Sequence, residues 1–444
     1  NIYDKLKDVN YQKNIMESCR QKFYKPYMME RFDANTGLLG FENCVFDLET
    51  NLLRPGQPDD YLTMSTKLFM PIKQNELPVT VDELWEKVQW RCDSKFKKNA
   101  EKKEKENPKR CWMEYIEDEW DICEPNQKYF KAVHKDIKKF FQQIMPDANI
   151  KEYTFRYIAS RLSGDVQQRF SIWTGCGGNG KSMLIDLMQA ILGDYCKNLP
   201  VTLLTQKRKA SNAASPEKAV TKGVRVCYMQ EPDTNERINV GEMKELSGGD
   251  TIQARKLYGD VFEFKPQFEI VLMCNEKPKI DDKTNGAWRR VLVTPFDAKF
   301  TDKQEELDPN RHIYPRNNKL PNMIKNYWSS IFMSMILKKW VEMNSIEDEY
   351  RVPERIQLET ESYKNSNDIV GQWIKDSLQS CYPNTTEYSE LRENFHDWYD
   401  GDKRIDSQEI KDRLMEWQKQ SLYGYAEPAN GTIHKPKFNL VAKS

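Results

Sequence analysis

The sequence predicts an α/β fold built on a mostly parallel sheet, and two observations support this prediction. Between residues 169 and 296, short apolar runs alternate with helical stretches and glycine-bearing loops, a pattern typical of parallel sheets. A glycine-rich segment in this region lies between an apolar run and a helical stretch. The chain has 444 residues, which exceeds the size at which a single hydrophobic core keeps growing. Two or three domains are therefore expected.

The flanking regions differ in pattern from this central one. From Phe32 to Ile72, short apolar runs alternate with turn residues, which predicts small strands and hairpins. From Tyr129 to Leu162, apolar residues recur at helical spacing. The predicted parts are an N-terminal α+β module (1–128) with a charged insertion (93–110), a helical connector (129–165), the P-loop core (166–300) and a C-terminal helical region (301–444).

The C-terminal region is predicted to be helical until its last residues. The last apolar run is Phe438 to Val441, and two helices followed by a hairpin would suit a winged-helix-like end. The predicted helical stretches are Met323 to Met343, Ser366 to Leu378, Leu391 to Tyr399 and Gln408 to Leu422.

Composition excludes several classes of protein. Lys plus Arg and Asp plus Glu each total 68, so any nucleic-acid contact must come from a local basic surface. No apolar stretch approaches the ~20 residues that span a bilayer, and no membrane partner is expected. The ten cysteines include no C-x-x-C pair, which favours a reducing compartment. An alternative zinc site would join Cys92, Cys111 and Cys123 to His134, but these spacings are loose. Because the chain begins at Asn1 without an initiator Met or a signal-like segment, we expect it to be part of a longer protein.

The clearest motif fits the phosphate-binding pattern G-x-x-x-x-G-K-[ST], with an apolar strand before it and a helix after it. In such a P-loop the backbone N–H groups point at phosphate oxygens, and glycines permit the close approach. The lysine can reach the β and γ phosphates, and the final hydroxyl can ligate Mg²⁺. The predicted nucleotide-binding residues are Gly175, Cys176, Gly177, Gly178, Asn179, Gly180, Lys181 and Ser182.

A second element of the site is an acidic residue at the end of a neighbouring strand. The apolar run Val224 to Met229 predicts a buried strand, and ligands bind at the carboxyl ends of such strands. Glu231 at that end is predicted to activate water and, with Ser182, to hold the metal. Gln230 stands where a second acid would strengthen metal ligation, and Asp233 is the only close substitute.

Two further elements complete the predicted catalytic set. Asn275 ends an apolar strand, where its amide can donate and accept hydrogen bonds beside a γ phosphate. Arg289 and Arg290 offer guanidinium groups, which suit the charge on a transferring phosphoryl and can come from a neighbouring subunit. We prefer Arg290 as this arginine finger. The alternative is that both arginines bind carboxylates or DNA phosphates.

A segment between the acidic strand and the Asn275 strand predicts a hairpin that grips nucleic acid. It combines a Gly-Gly turn with the basic pair Arg255 and Lys256 and with Tyr258. Such a tip offers charge to a phosphate chain and a ring to a base. These three residues are the predicted DNA-binding residues, and an ordinary surface hairpin is the alternative.

Together these elements resemble the superfamily-three helicases. The resemblance is closest to the helicase part of the poxvirus-type helicase–primase (uncoating ATPase) family of large DNA viruses. The matching positions are the P-loop at Gly175 to Ser182, the acid at Glu231, the hairpin motif at Lys244 to Asp250 and Ala254 to Tyr258, the sensor at Asn275 and the finger region at Gly286 to Arg290.

The resemblance implies an AAA+ type ATPase core that uses ATP and Mg²⁺, assembles as a homo-hexameric ring and moves on single-stranded or forked DNA. It also implies a primase domain upstream and a place at a viral replication site in the host cytoplasm. The alternative is a DNA-binding ATPase that packages, loads or remodels DNA without processive unwinding. The intact set of Lys181, Glu231, Asn275 and Arg290 favours rapid hydrolysis over a slow switch.

Overall fold

The structure is a computed structural model of the chain. It describes residues 7–23, 28–90, 127–206, 215–232, 236–280, 285–344, 351–380, 385–399, 405–421, 437–438 and 440–442. The charged insertion 93–110, Asp233 and the cysteines of the alternative zinc site (Cys92, Cys111 and Cys123) lie outside these residues.

The described residues form helices and short strands throughout. The helices are α1 (Val9–Phe23), α2 (Met28–Arg31), α3 (Val81–Trp90), α4 (Gln127–Ile144), α5 (Ala148–Ser160), α6 (Lys181–Leu192), α7 (Thr202–Thr205), α8 (Pro216–Ala219), α9 (Val240–Ser247), α10 (Asn285–Trp288), α11 (Leu320–Met323), α12 (Ser329–Met343), α13 (Glu354–Asn367), α14 (Ile369–Ser377), α15 (Tyr388–Trp398) and α16 (Ser407–Ser421). A π-helical turn, Ile324–Trp328, joins α11 to α12. The strands are β1 (Leu38–Gly40), β2 (Val45–Asp47), β3 (Leu52–Arg54), β4 (Val79–Thr80), β5 (Phe170–Thr174), β6 (Cys196–Asn198), β7 (Val226–Gln230), β8 (Ile252–Arg255), β9 (Val261–Phe264), β10 (Glu269–Cys274), β11 (Val291–Pro295), β12 (Lys299–Thr301), β13 (Ile313–Pro315), β14 (Leu378–Ser380), β15 (Thr386–Glu387), β16 (Lys437–Phe438) and β17 (Leu440–Ala442).

A five-stranded parallel sheet forms the centre, in the order β11-β5-β10-β7-β6. Apart from the edge strand β6, its strands are largely apolar, as expected for strands that are buried on both faces. Ile172, Leu272, Met229 and Val293 lie in register across four strands and belong to one core. The alternate positions, such as Trp173 and Met273, belong to the core on the opposite face. The predicted mixed α/β fold with a parallel sheet is confirmed.

Helices cover both faces of the sheet. The helical spacing predicted between Tyr129 and Leu162 is present as α4 and α5, which pack with α6 and α12 in one core. The other core includes apolar residues of α9, the β8–β9 hairpin and α13. Strands of the same sheet contribute side chains to both cores. The loops at the two ends of the sheet are therefore anchored to strands that are packed on both faces.

The N-terminal strands form an antiparallel meander, β1-β2-β3-β4, as the turn-rich pattern predicts. Arg225, which is buried beside the start of β7, ties this meander to the central sheet. Its Nη2 donates to the carbonyl oxygens of Asn35 at 3.3 Å and Leu38 at 3.2 Å. Burial lowers the pKa of Arg225 to about 10. A Cβ at Gly164 would collide with this guanidinium, so the close packing there requires glycine.

The C-terminal region has its own core, formed by α14, α15, α16 and two strand pairs. The strands of the final apolar run pair with strands that precede α15, because β16 pairs with β15 and β17 pairs with β14. The helix predicted from Ser366 to Leu378 is present as α14, but it begins at Ile369. Asp368 separates α13 from α14 and caps α14, since its carboxylate accepts from the Gly371 N–H at 2.9 Å.

Candidate functional site

The glycine-rich loop joins β5 to α6 at the carboxyl end of the sheet. Gly178 and Gly180 adopt φ values of +74° and +91°, which side chains other than glycine rarely adopt. A Cβ at Gly180 would lie 2.6 Å from Ile144 Cγ2. Gly177 differs, because a Cβ there would meet nothing within 4 Å. Packing therefore requires Gly178 and Gly180, whereas Gly177 leaves the exposed side of the loop open to an approaching group.

Lys181 begins α6 and links this loop to the neighbouring strand β10. Its Nζ donates to the Gly175 carbonyl at 2.8 Å and to Asn275 Oδ1 at 3.1 Å. Burial lowers the pKa of Lys181, and the nearby charge of Glu231 acts in the opposite direction. The structure thus brings together two predicted residues that lie 94 positions apart in the sequence.

The other loop residues have separate places. Asn179 is buried, with its amide 3.4 Å from the Phe296 carbonyl and its Oδ1 3.4 Å from the Lys181 N–H. It therefore stabilises the loop from inside. Cys176 and Ser182 are exposed, the first within the loop and the second in the first turn of α6.

Glu231 lies at the same end of the sheet, directly after β7. Its backbone N–H donates to the Met273 carbonyl at 2.9 Å, so the residue is fixed against β10, the strand that ends beside Asn275. Its φ is +39°, in the left-handed region, and its side chain is exposed. Glu231 and Asn275 therefore lie at the ends of the adjacent strands β7 and β10, and Lys181 begins the helix that follows β5, the next strand in the sheet.

These residues suit a bound nucleotide and its metal. A Mg²⁺ site of this kind takes only one or two protein oxygens and completes its shell with phosphates and water. Ser182 and Glu231 can supply those oxygens. No cluster of three or more His, Cys, Asp or Glu side chains suited to a metal occurs among the residues the structure describes.

A largely apolar cavity of about 570 Å³ opens beside Gly178 and Gly180. This volume falls in the range of small-molecule sites. Its apolar walls come from α4, the first turn of α6, β12 and the segment after β13, so they include parts that are distant in sequence. The lining includes Phe140, Met183, Phe300, Leu320, Met323 and Trp328.

Sequence reasoning missed Arg316, which lies over the glycine loop. Its Nη2 is 3.8 Å from the position that a Cβ would take on Gly178, and its Nη1 pairs with Asp302 at 3.2 Å. Both side chains of this pair are more than half exposed. The signal is absent from the local sequence, because only the fold brings residue 316 to the P-loop.

The predicted finger pair lies at the opposite end of the sheet. The Arg290 carbonyl accepts from the Phe170 N–H at 2.7 Å, at the amino end of β5. The whole of β5, about 16 Å at 3.3 Å per residue, separates this position from Gly175. Neither arginine therefore reaches the P-loop of its own chain.

The two arginines differ in their surroundings. Arg289 is exposed, and its Nη2 donates to Gln168 Oε1 at 2.8 Å. The Arg290 guanidinium folds back onto the Gly286 carbonyl. Burial and the neighbouring charge of Arg289 lower the pKa of Arg290, while Asp250 raises it. Gln168 also donates to the Gly248 carbonyl at 2.6 Å, so it joins the finger region to the loop before β8.

The predicted hairpin is present as β8 and β9, with residues 256–260 at its tip. Tyr258 is 97% exposed with a φ of +57°, and Lys256 is also exposed. Arg255 differs from the prediction in part, because its Nε donates to the Gly259 carbonyl at 3.0 Å and closes the turn. Lys256 and Tyr258 are thus the residues of the predicted set that project most clearly.

Two family models match separate parts of the chain. A model described as D5 N terminal like matches residues 8–121. A second, described as a family of unknown function (DUF5906), matches residues 173–290, the segment from the P-loop strand to the finger pair. No helix among the described ranges is both long and apolar enough to cross a membrane.

Relatives occur among large DNA viruses. "Putative helicase L207/L206" of Acanthamoeba polyphaga mimivirus is 32% identical over 90% of this chain and 37% of that protein. "Putative primase C962R" of African swine fever virus (isolate Warthog/Namibia/Wart80/1980) is 24% identical over 62% of this chain and 30% of that protein. The chain therefore spans about a third of these relatives. Among solved structures, the NrS-1 C-terminal region has a TM-score of 0.38 and 13% identity, over 54% of this chain and 56% of that one.

Proposed function

Because this chain is a relative of the large-DNA-virus proteins named as helicases and primases, we propose that it is an ATP-dependent DNA helicase or translocase of viral DNA replication. In this proposal the parallel sheet is an AAA+ type core of the superfamily-three kind. It acts as a homo-hexameric ring on single-stranded or forked DNA in the host cytoplasm. A primase domain upstream belongs to the same longer protein.

One observation carries the proposal. Lys181 of the glycine loop bonds to Asn275 at the end of the adjacent strand, and Glu231 is fixed beside them against the same strand. A cation, an amide and a carboxylate at one sheet edge are the groups that phosphoryl transfer from a nucleoside triphosphate needs. The apolar cavity beside Gly178 supplies a surface for the base.

Each residue has a role in this reaction. Lys181 neutralises charge on the β and γ phosphates, and Asn275 orients the attacking water. Glu231 polarises that water and accepts its proton. Mg²⁺, held through Ser182 and Glu231, would supply further charge neutralisation at the phosphates. Arg316 lies close enough to the loop to add a second cation from the same chain.

The test is steady-state ATP hydrolysis by the purified chain, with and without single-stranded DNA, followed by strand displacement on a forked duplex. A motor should accelerate its hydrolysis on DNA and separate the fork. DNA-stimulated hydrolysis without strand separation would favour the packaging, loading or remodelling alternative. An absence of ATP hydrolysis under all conditions, in a chain shown to be folded and assembled, would refute the proposal.

A further inference from the structure

Helix α13 packs along β11, the edge strand of the sheet, and presents one line of side chains to it. Thr360, Tyr363 and Asn367 follow helical spacing and therefore share a face. Thr360 Oγ1 accepts from the Val293 N–H of β11 at 2.9 Å. Asn367 Oδ1 accepts from the Ile280 N–H, after β10, at 3.0 Å. The helix thus bridges the strand that follows the finger pair and the loop that follows Asn275.

Tyr363, in the middle of this line, is only 3% exposed. Its hydroxyl donates to the Pro278 carbonyl in the loop after Asn275. Its ring meets Trp288 edge to face, with centroids 5.5 Å apart and planes at 74°. Trp288 immediately precedes Arg289 and ends α10. One buried side chain therefore contacts both the sensor loop and the finger-bearing helix.

Lys277 adds a third contact. Its Nζ lies 5.4 Å from the centre of the Tyr363 ring, in the range of a cation–π interaction. Burial raises the pKa of Tyr363 well above its ordinary value, so the hydroxyl keeps its proton and remains a donor. The hydroxyl, the ring and the helix backbone together hold Tyr363 in a fixed position between the loop that follows Asn275 and α10.

From these contacts we propose that Tyr363 is the positioning residue of the arginine finger. It holds α10 against the sensor loop, so that Arg289 and Arg290 are presented to the phosphates of the adjacent subunit. This inference rests on the proposed ATPase function and on a finger that acts between subunits. Tyr363 touches neither substrate nor metal and acts only through α10.

A substitution at Tyr363 should affect the finger and leave the P-loop of the same chain unaffected. Lys181, Glu231 and the P-loop backbone lie at the other end of the sheet from α10, so loss of the Tyr363 hydroxyl should leave nucleotide binding in the same chain intact. The finger offered to the neighbour should be misplaced. Tyr363→Phe should therefore lower kcat by about tenfold, the effect of one buried hydrogen bond, and Tyr363→Leu should lower it further.

Mixed assemblies separate this role from general damage. Lys181→Ala subunits lack a working P-loop but keep the finger, whereas Arg289→Ala/Arg290→Ala subunits keep the P-loop but lack the finger. Adding Lys181→Ala subunits to Tyr363→Phe should restore turnover per intact P-loop, because intact fingers now serve those P-loops. Adding the double arginine variant should restore nothing.

The opposite pattern would overturn the inference, since rescue by the arginine variant alone would place the defect in Tyr363→Phe's own P-loop. Rescue by both or by neither would overturn it as well. Tyr195→Phe is the matched control, because it also removes a buried tyrosine hydroxyl, one that donates to the Met64 carbonyl far from α10. That variant should retain wild-type turnover. If the wild-type chain itself fails to hydrolyse ATP, the proposed function fails; if only the Tyr363 pattern fails, the function stands without this positioning role.

Discussion

The ammonium group of Lys181 is held by two acceptors from different elements, the Gly175 carbonyl and Asn275 Oδ1. The glycine backbone, and not this side chain, sets the conformation of the loop, because Gly175, Gly178 and Gly180 all adopt positive φ values that favour glycine. The charge of Lys181 can therefore be removed without removing the loop. Substitution of Lys181 therefore tests the role of its charge in ATP hydrolysis without altering the conformation of the loop.

Lys181→Ala should reduce ATP turnover by about 100-fold or more, since a preorganised charge at the transferring phosphoryl is lost. The folded state should survive. The measurements are steady-state hydrolysis and thermal unfolding of both proteins. Near wild-type hydrolysis by a folded Lys181→Ala chain would show that the P-loop assignment is wrong.

Glu231→Gln should retain nucleotide binding but hydrolyse roughly 100-fold more slowly, because the amide keeps the shape and cannot accept a proton. Binding of a fluorescent ATP analogue and single-turnover hydrolysis would be compared with wild type. Gln230→Ala is the matched control, since Gln230 precedes Glu231 and is likewise exposed. Weaker binding with unchanged hydrolysis per bound nucleotide would contradict a water-activating role.

At the scale of elements, the β8–β9 hairpin combines a rigid base with a projecting tip. Ser215 accepts from the Arg255 N–H at 3.1 Å, and the Arg255 side chain closes the turn. Tyr258 and Leu257 project beyond it, the latter with 64% exposure. An exposed aromatic residue beside a lysine suits stacking and phosphate contact with single-stranded DNA.

The double variant Arg255→Ala/Lys256→Ala should weaken binding to single-stranded DNA and reduce its salt dependence. Each phosphate contact contributes about one unit to the slope of log affinity against log salt. Basal ATP hydrolysis should persist, because the hairpin lies away from the P-loop. Lys131→Ala, on an exposed position of α4, controls for loss of charge alone. A salt-dependence slope equal to that of the wild-type protein would show that the DNA is bound elsewhere on the protein.

The sequence was informative wherever a local pattern determines structure. Parallel strands, the P-loop and the hairpin followed from apolar runs and glycines, and the residues they predict lie where strand ends require. The position of Arg316 and the role proposed for Tyr363 could not be predicted, because tertiary packing alone brings α13 and the segment after β13 to the site. The start of α14 was predicted three residues too early, at Ser366, because the capping carboxylate of Asp368 was not recognised as the boundary.

At the scale of the whole molecule, the two ends of one sheet carry the two sets of residues that are proposed to form complementary halves of a catalytic site. Lys181, Glu231 and Asn275 lie at the carboxyl end, whereas Arg289 and Arg290 lie at the amino end, about 16 Å away along β5. The hairpin and the finger pair are connected through Gln168, whose amide donates to the Gly248 carbonyl before β8. If the finger serves a neighbouring P-loop, hydrolysis must depend on assembly.

Arg290→Ala subunits should bind ATP normally, because Gly175 to Ser182 are unchanged, but should hydrolyse it poorly, since charge in the transition state is not neutralised. Lys181→Ala subunits should also hydrolyse ATP poorly, because they keep the finger but lack the lysine of the P-loop. Mixing the two creates interfaces that pair an intact P-loop with an intact finger, so part of the ATPase activity should return although neither variant is active alone. Steady-state hydrolysis across mixing ratios, with subunit exchange checked independently, measures this recovery. The same series with Arg289→Ala identifies which arginine acts, because only the variant that lacks the true finger will need its partner's guanidinium. No recovery with either arginine variant, despite proven co-assembly, would show that the finger does not act between subunits.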